Sequence, residues 1–207
     1  MAMRVGLYGG SFDPIHVGHL IAARAARERF ELDRMILIPC AQPPHKPAGD
    51  LTDASHRLAM ARLAVEDEPG LEVSDCEVGR AGPSYTIDTV EAFREQLGPT
   101  TTLVWLIGAD TLGELASWHR VDELVDACQI VIAPRPGWES PDVTSLRGRL
   151  RDEQIERLRD GLIDTPRIDV SASDVRRRVA RGLSIRWMVP GPVRQYIAQQ
   201  GLYGRSA

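Results

Sequence analysis

Arg4-Val5-Gly6-Leu7-Tyr8-Gly9-Gly10-Ser11-Phe12-Asp13-Pro14-Ile15-His16-Val17-Gly18-His19 reads as a short strand, a glycine turn and the start of a helix. In an α/β protein that junction is where phosphate binds. Backbone N–H groups point out of a helix N-terminus, and glycine lets a ligand approach closely. His16 and His19 are three residues apart, so one helical turn puts both imidazoles on one face, with Gly18 between them leaving room for a ligand. The expectation is that the turn holds nucleotide phosphates and that both histidines donate to them. The plainer alternative is a tight turn with satisfied histidines. No GxxxxGK[ST] or GxGxxG pattern is present. Two histidines on one face also suit zinc, but no third ligand is spaced to complete such a site.

Outward from this stretch, short apolar runs alternate with amphipathic ones. Candidate strands are Val5–Tyr8, Met35–Pro39, Leu71–Val78, Leu103–Ile107, Ile130–Ala133 and Ile168–Val170. Most are almost wholly apolar, as strands covered on both faces are; Leu71–Val78 alternates and belongs toward an edge. Helices are expected over Gly18–Arg29, Asp53–Asp67 (apolar stripe Leu58, Ala61, Val65), Ser84–Leu97, Asp110–Ala116, Arg120–Cys128, Ser173–Arg181 and Pro192–Gln200, and residues 142–164 read as weakly amphipathic and helical (Leu146, Leu150, Ile155, Leu158). Cys40–Leu51 and Pro134–Pro141 read as loops over the sheet. The pattern predicts an α/β, Rossmann-like, doubly wound and mainly parallel sheet with helices on both faces. Its binding crevice should lie at the carboxyl ends of the strands. No linker divides residues 1–207, so a single domain is expected, with a C-terminal helical part from about residue 171 completing the nucleotide site.

The net charge of −4 does not favour a nucleic-acid partner. Cys40, Cys76 and Cys128 are odd in number and form no CxxC pair, which favours a reducing compartment over a disulfide framework. With no signal-like segment and no apolar run near ~20 residues, the expectation is a cytoplasmic protein without a membrane partner. The oligomeric state is open, a homo-oligomer included.

The segment from Gly9 to His19 resembles the signature of the nucleotidyltransferases that share an HxGH motif. Val170-Ser171-Ala172-Ser173-Asp174-Val175-Arg176 is similar to their second signature, an ISSTxIR-like segment, with Ala172 replacing one serine and Ser173 replacing threonine. Within that superfamily the chain is most similar to bacterial nicotinate-nucleotide adenylyltransferases. Pro43-Pro44-His45-Lys46, Ser84-Tyr85-Thr86-Ile87-Asp88-Thr89, Leu106-Ile107-Gly108-Ala109-Asp110 with Trp118, Ala133-Pro134-Arg135-Pro136-Gly137 and Gly201-Leu202-Tyr203 carry that likeness. The resemblance implies a Rossmann-like fold. It also implies adenylyl transfer from ATP to nicotinic acid mononucleotide, giving the deamido dinucleotide and pyrophosphate, with Mg²⁺.

Adenylyl transfer is an in-line displacement at the α-phosphorus by a phosphate that is already ionised. It needs positioning and charge neutralisation more than a strong base. The expected catalytic donors are His16, His19 and Arg176. Gly9, Gly10, Ser11, Phe12, Gly18, Ser171 and Ser173 complete the expected ATP site, and Mg²⁺ rides on the ATP phosphates rather than on protein ligands. Arg177, Arg178 and Arg181 read mainly as a solvated face.

For the acceptor, Tyr85 and Thr86 sit at a helix start that suits the ring carboxylate. Trp118 is either a stacking surface for the pyridine or core packing, and Asp110 either bonds ribose or caps the next helix. His119 stands where the family more often has tyrosine, so a backbone contact is retained. Lys46 pairs with the mononucleotide phosphate or is solvated, and Arg135 meets the adenylate or its phosphates. The competing acceptors are nicotinamide mononucleotide and phosphopantetheine. The competing classes are a noncatalytic nucleotide-binding module and, more remotely, a relative of class I aminoacyl-tRNA synthetases.

Overall fold

The computed structural model describes residues 2–43, 51–138 and 142–204. Five strands form one sheet: β1 Arg4–Gly10, β2 Arg34–Pro39, β3 Leu71–Val73, β4 Thr102–Gly108 and β5 Gln129–Ala133. Their order is β3-β2-β1-β4-β5 and every pairing is parallel. The chain winds outward from β1 through β2 to β3, then returns to β4 on the other side. The order therefore reverses between β1 and β4, and the crevice opens at their carboxyl ends, by Gly9, Gly10 and Gly108.

Side chains alternate strictly across the sheet. Val5, Leu7, Ile36, Ile38, Leu103, Trp105, Ile107, Ile130 and Ile132 enter one core, whereas Tyr8, Met35, Leu37, Val104, Leu106, Val131 and Ala133 enter the other. The first core is covered by α3 (Thr86–Leu97), α4 (Leu112–Leu115), α5 (Val121–Ala127) and α6 (Asp152–Asp160). The second lies under α1 (Val17–Arg29), α2 (Ala54–Val65), α7 (Ala172–Ala180) and α8 (Gly191–Gln199). Burial on both faces is why the strands read as continuous apolar runs.

Four expectations need correction. Ile168–Val170 is not a strand: Pro166 precedes it, Asp169 is exposed, and Ile168 and Val170 are only half-buried. It is Leu162–Ile163 that pairs with the open edge of β5, through Ile132. The Leu71–Val78 strand stops at Val73, because Ser74 and Asp75 turn the chain: the Ser74 hydroxyl accepts from Cys76 N–H and the Asp75 carbonyl from Val78 N–H. The 142–164 stretch is a 3₁₀ turn at Val143–Leu146 and then α6, separated at Gly148. Asp110–Ala116 divides into a 3₁₀ turn, Ala109–Thr111, and α4.

In α2 the expected stripe is buried at Ala61 and Val65 but not at Leu58. Arg57, Met60, Ala61, Ala64 and Val65 face inward and Leu58 is only half-buried. Asp53 caps this helix, accepting from Ser55 N–H at 2.8 Å.

Candidate active site

A cleft of about 660 Å³ opens at the carboxyl ends of β1 and β4. Gly9, Gly10, Ser11, Phe12 and His19 line one end, and Tyr85, Thr86, Trp118 and His119 the other, with Asp110 and Arg135 also in the wall. The topology thus brings together residues from five separate stretches of the chain at the crossover. Lys46 lies outside the described residues.

The phosphate end is built by close approach. β1 runs on through Gly10, so the expected glycine turn begins two residues later, at Ser11. A Cβ on Gly9 would lie 2.5 Å from the Trp105 ring, so only glycine lets β1 pass beside that indole. The imidazoles of His16 and His19 stack with centroids 3.6 Å apart and planes 25° from parallel. A Cβ on Gly18 would come within 3.1 Å of His16 Nδ1, which is the packing reason for glycine between the two histidines.

His16 backbone N–H donates to His19 Nδ1 at 3.2 Å. That bond makes Nδ1 the acceptor and leaves the His19 proton on Nε2, free to donate to a ligand. His16 is 2% exposed and its Nδ1 is buried without a partner among the described residues. Burial, and then the Arg135 charge, push its pKa down to about 3. Burial, the neighbouring His16 and Arg135 also hold His19 well below the ordinary histidine value. Both rings are therefore neutral in the empty site at pH 7.

Arg135 is the charge common to these groups. Its Nε stands 3.8 Å from Asp110 Oδ1, and its side chain hydrogen-bonds the buried Tyr8 phenol, whose pKa is raised by burial. Asp110 does not cap the helix after β4: it lies inside the 3₁₀ turn, and Gly108 and Thr111 hold the cap positions. Its carboxylate is half-exposed in the cleft wall.

At the other end, α3 starts with Tyr85 as N-cap and no side chain capping it, so its first N–H groups are open toward the cleft. The Tyr85 ring lies against His119, with centroids 4.4 Å apart. Trp118 packs partly into the core below, yet also lines the cleft, and its Nε1–H is buried without a partner among the described residues. Glu77, which sequence reading missed inside an expected strand, is 3% exposed in this wall. It accepts from Thr89 Oγ1 at 2.6 Å, and burial raises its pKa.

His16, Gly18, Ser171, Ser173 and Arg176 do not line this cleft. The Ser171 hydroxyl caps α7, accepting from Asp174 N–H at 3.0 Å. Arg176 Nη1 donates to the Asp13 carbonyl at 2.6 Å, and its Nη2 to Ser173 Oγ at 3.3 Å. The second expected signature therefore meets the first at the backbone of the phosphate turn. Among the described residues no cluster of three or more His, Cys, Asp or Glu is arranged to hold a metal ion. No helix among them is long and apolar enough to cross a membrane.

Residues 7–178 match the cytidylyltransferase-like family. The chain is 42% identical over 200 residues to the probable nicotinate-nucleotide adenylyltransferase of Moorella thermoacetica, covering 97% of this chain and 91% of that protein. It is 39% identical over 205 residues to the one of Dehalococcoides mccartyi, covering 99% of each. Its fold superposes with a TM-score of 0.77, at 20% identity and 97% of each chain, on Plasmodium falciparum nicotinic acid mononucleotide adenylyltransferase complexed with NaAD. Matches of this extent and identity mean that the chain belongs to the cytidylyltransferase-like nucleotidyltransferases and, among them, to the nicotinate-nucleotide adenylyltransferases.

Proposed function

We infer that this protein transfers the adenylyl group of ATP to nicotinic acid mononucleotide, releasing pyrophosphate and forming nicotinic acid adenine dinucleotide. The observation that carries this is the cleft itself, with neutral histidine and glycine donors at one end and an uncapped helix start beside Trp118 at the other. The two ends suit a triphosphate and a pyridine carboxylate respectively.

The mononucleotide phosphate is the nucleophile and is already ionised, so the protein's task is alignment. His19 Nε2–H donates to the α/β region of the triphosphate, in the tautomer held by the His16 backbone. His16 backs that ring by stacking. Arg135 adds the fixed positive charge on the β5 side of the cleft. Charge that builds on the leaving pyrophosphate meets donors already in place, which lowers the barrier without reorganisation. Arg176 reaches this site through Asp13 and the backbone of the turn. Mg²⁺ would be carried on the triphosphate, where it would supply neutralisation of leaving-group charge.

The acceptor carboxylate sits at the start of α3, where Thr86 N–H, the Thr86 hydroxyl and the helix dipole favour an anion over a neutral amide. Trp118 and the Tyr85–His119 pair form the aromatic walls for the ring. Three free cysteines, two of them buried, suit a reducing cytoplasm. The test is incubation with ATP, Mg²⁺ and nicotinic acid mononucleotide. Equimolar pyrophosphate and deamido dinucleotide are expected, and ATP binding with no pyrophosphate release indicates a noncatalytic module instead.

A further inference from the structure

The C-terminal tyrosine Tyr203 lies 190 residues from Asp13 in sequence, yet its phenol donates to Asp13 Oδ1 at 2.6 Å. Asp13 is 2% exposed, in the middle of the turn that carries the phosphate donors. Its other oxygen accepts from Thr52 N–H at 3.3 Å, with Arg176 Nη1 3.9 Å away. Its carbonyl accepts from Arg176. The Thr52 side chain hydrogen-bonds Tyr203 in turn. From α2, the buried guanidinium of Arg57 donates to Ser11 O at 2.8 Å and to Thr52 O at 2.7 Å. The turn is therefore held by side chains from α2, α7 and the C-terminal segment.

We propose that Tyr203 and Asp13 form a latch by which the C-terminal segment positions the phosphate turn, making Tyr203 a positioning residue for adenylyl transfer. The physical reason is the one acceptor that the phenol satisfies. Asp13 is a buried carboxylate with few donors, and without the phenol one oxygen loses its short hydrogen bond in a water-poor site. The turn relieves this by moving, and His16 and His19 begin three and six residues further along the same backbone. A shift of a fraction of an ångström there misaligns the α-phosphorus. It leaves the acceptor end, built on β4 and α3, in place. Burial and Asp13 raise the Tyr203 pKa, so the phenol remains a donor throughout the working pH range.

The experiment uses the full chain and rests on the adenylyl-transfer reaction inferred above. Tyr203→Phe removes the latch hydroxyl and keeps the ring. Tyr196→Phe is the control, because its hydroxyl bonds His56 at 2.9 Å in the same C-terminal layer without touching the turn. Tyr203→Phe should lower kcat/KM for ATP by roughly tenfold or more, with KM for nicotinic acid mononucleotide within about twofold. Tyr196→Phe should leave both within about twofold, whatever its melting temperature. Equal losses in the two variants, or a Tyr203→Phe enzyme within about twofold of wild type, overturn the latch. If the wild-type protein does not turn over this acceptor, the reaction inferred above fails by itself. The latch is then read from calorimetric Mg-ATP affinity, which Tyr203→Phe should weaken and Tyr196→Phe should not; equal affinities overturn it.

Discussion

His16 donates its backbone N–H to Nδ1 of His19 while the two rings stack, so the first histidine sets the tautomer and orientation of the second. Of these two, His19 lines the cleft and His16 does not. The two are not equivalent donors, and their substitutions should separate.

His19→Ala removes the Nε2 donor from the triphosphate. We expect kcat to fall on the order of 10²–10³-fold, as for other charge-stabilising donors, with KM for the acceptor little changed. Pyrophosphate release under saturating substrates checks this, and activity within a few-fold of wild type contradicts the assigned role.

His16 has a linkage consequence. Its folded pKa of about 3 lies below the 6.5 of an unfolded histidine, so between these values the unfolded chain binds more protons. Its neutral burial costs no stability above about pH 6.5, and the folded state loses up to about 1.4 kcal/mol per pH unit as the pH falls toward 3. Urea unfolding at pH 7 and pH 5 should show His16→Asn less sensitive to acid than wild type. Equal sensitivity contradicts the buried neutral ring.

Arg135 lowers the pKa of both histidines by its charge. Arg135→Gln should therefore move the His16 and His19 titrations upward, toward the ordinary value, while slowing turnover by about tenfold or more. Imidazole NMR shifts followed through a pH titration give the first quantity. A downward movement or none is the contrary result.

Arg57 is buried with three backbone carbonyl partners, at Ser11, Ala41 and Thr52. Arg57→Ala leaves those acceptors dry and should cost about 3 kcal/mol in chemical denaturation. A loss under about 1 kcal/mol means that water or neighbouring groups replace it.

The parallel sheet was legible because strands covered on both faces are written as unbroken apolar runs, and Val5–Tyr8, Leu103–Ile107 and Ile130–Ala133 lie within β1, β4 and β5. The start of α3 beside the cleft was legible from local signals: Ser84-Tyr85-Thr86 opens a helix, and Trp118 follows one. What sequence hid was tertiary. Arg57 reads as a surface residue of an amphipathic helix, and only the carbonyls of the phosphate turn, far away in the chain, make its burial affordable. Glu77 was concealed inside a run that alternates like a strand, because the turn at Ser74–Asp75 competes with pairing at an edge with no further neighbour. Ser171 and Arg176 were expected to face the triphosphate. The Ser171 hydroxyl accepts from the Asp174 N–H of its own helix, and the Arg176 guanidinium donates to the Asp13 carbonyl, a backbone partner 163 residues away that sequence does not reveal.

The selectivity of the acceptor end is the central claim, and the ratio of kcat/KM for nicotinic acid mononucleotide to that for nicotinamide mononucleotide, at fixed Mg-ATP, tests it most directly. A carboxylate at the open start of α3 predicts a ratio of about ten or more in favour of the acid. Equal or faster turnover of the amide would contradict the placement of the pyridine carboxylate at Tyr85–Thr86.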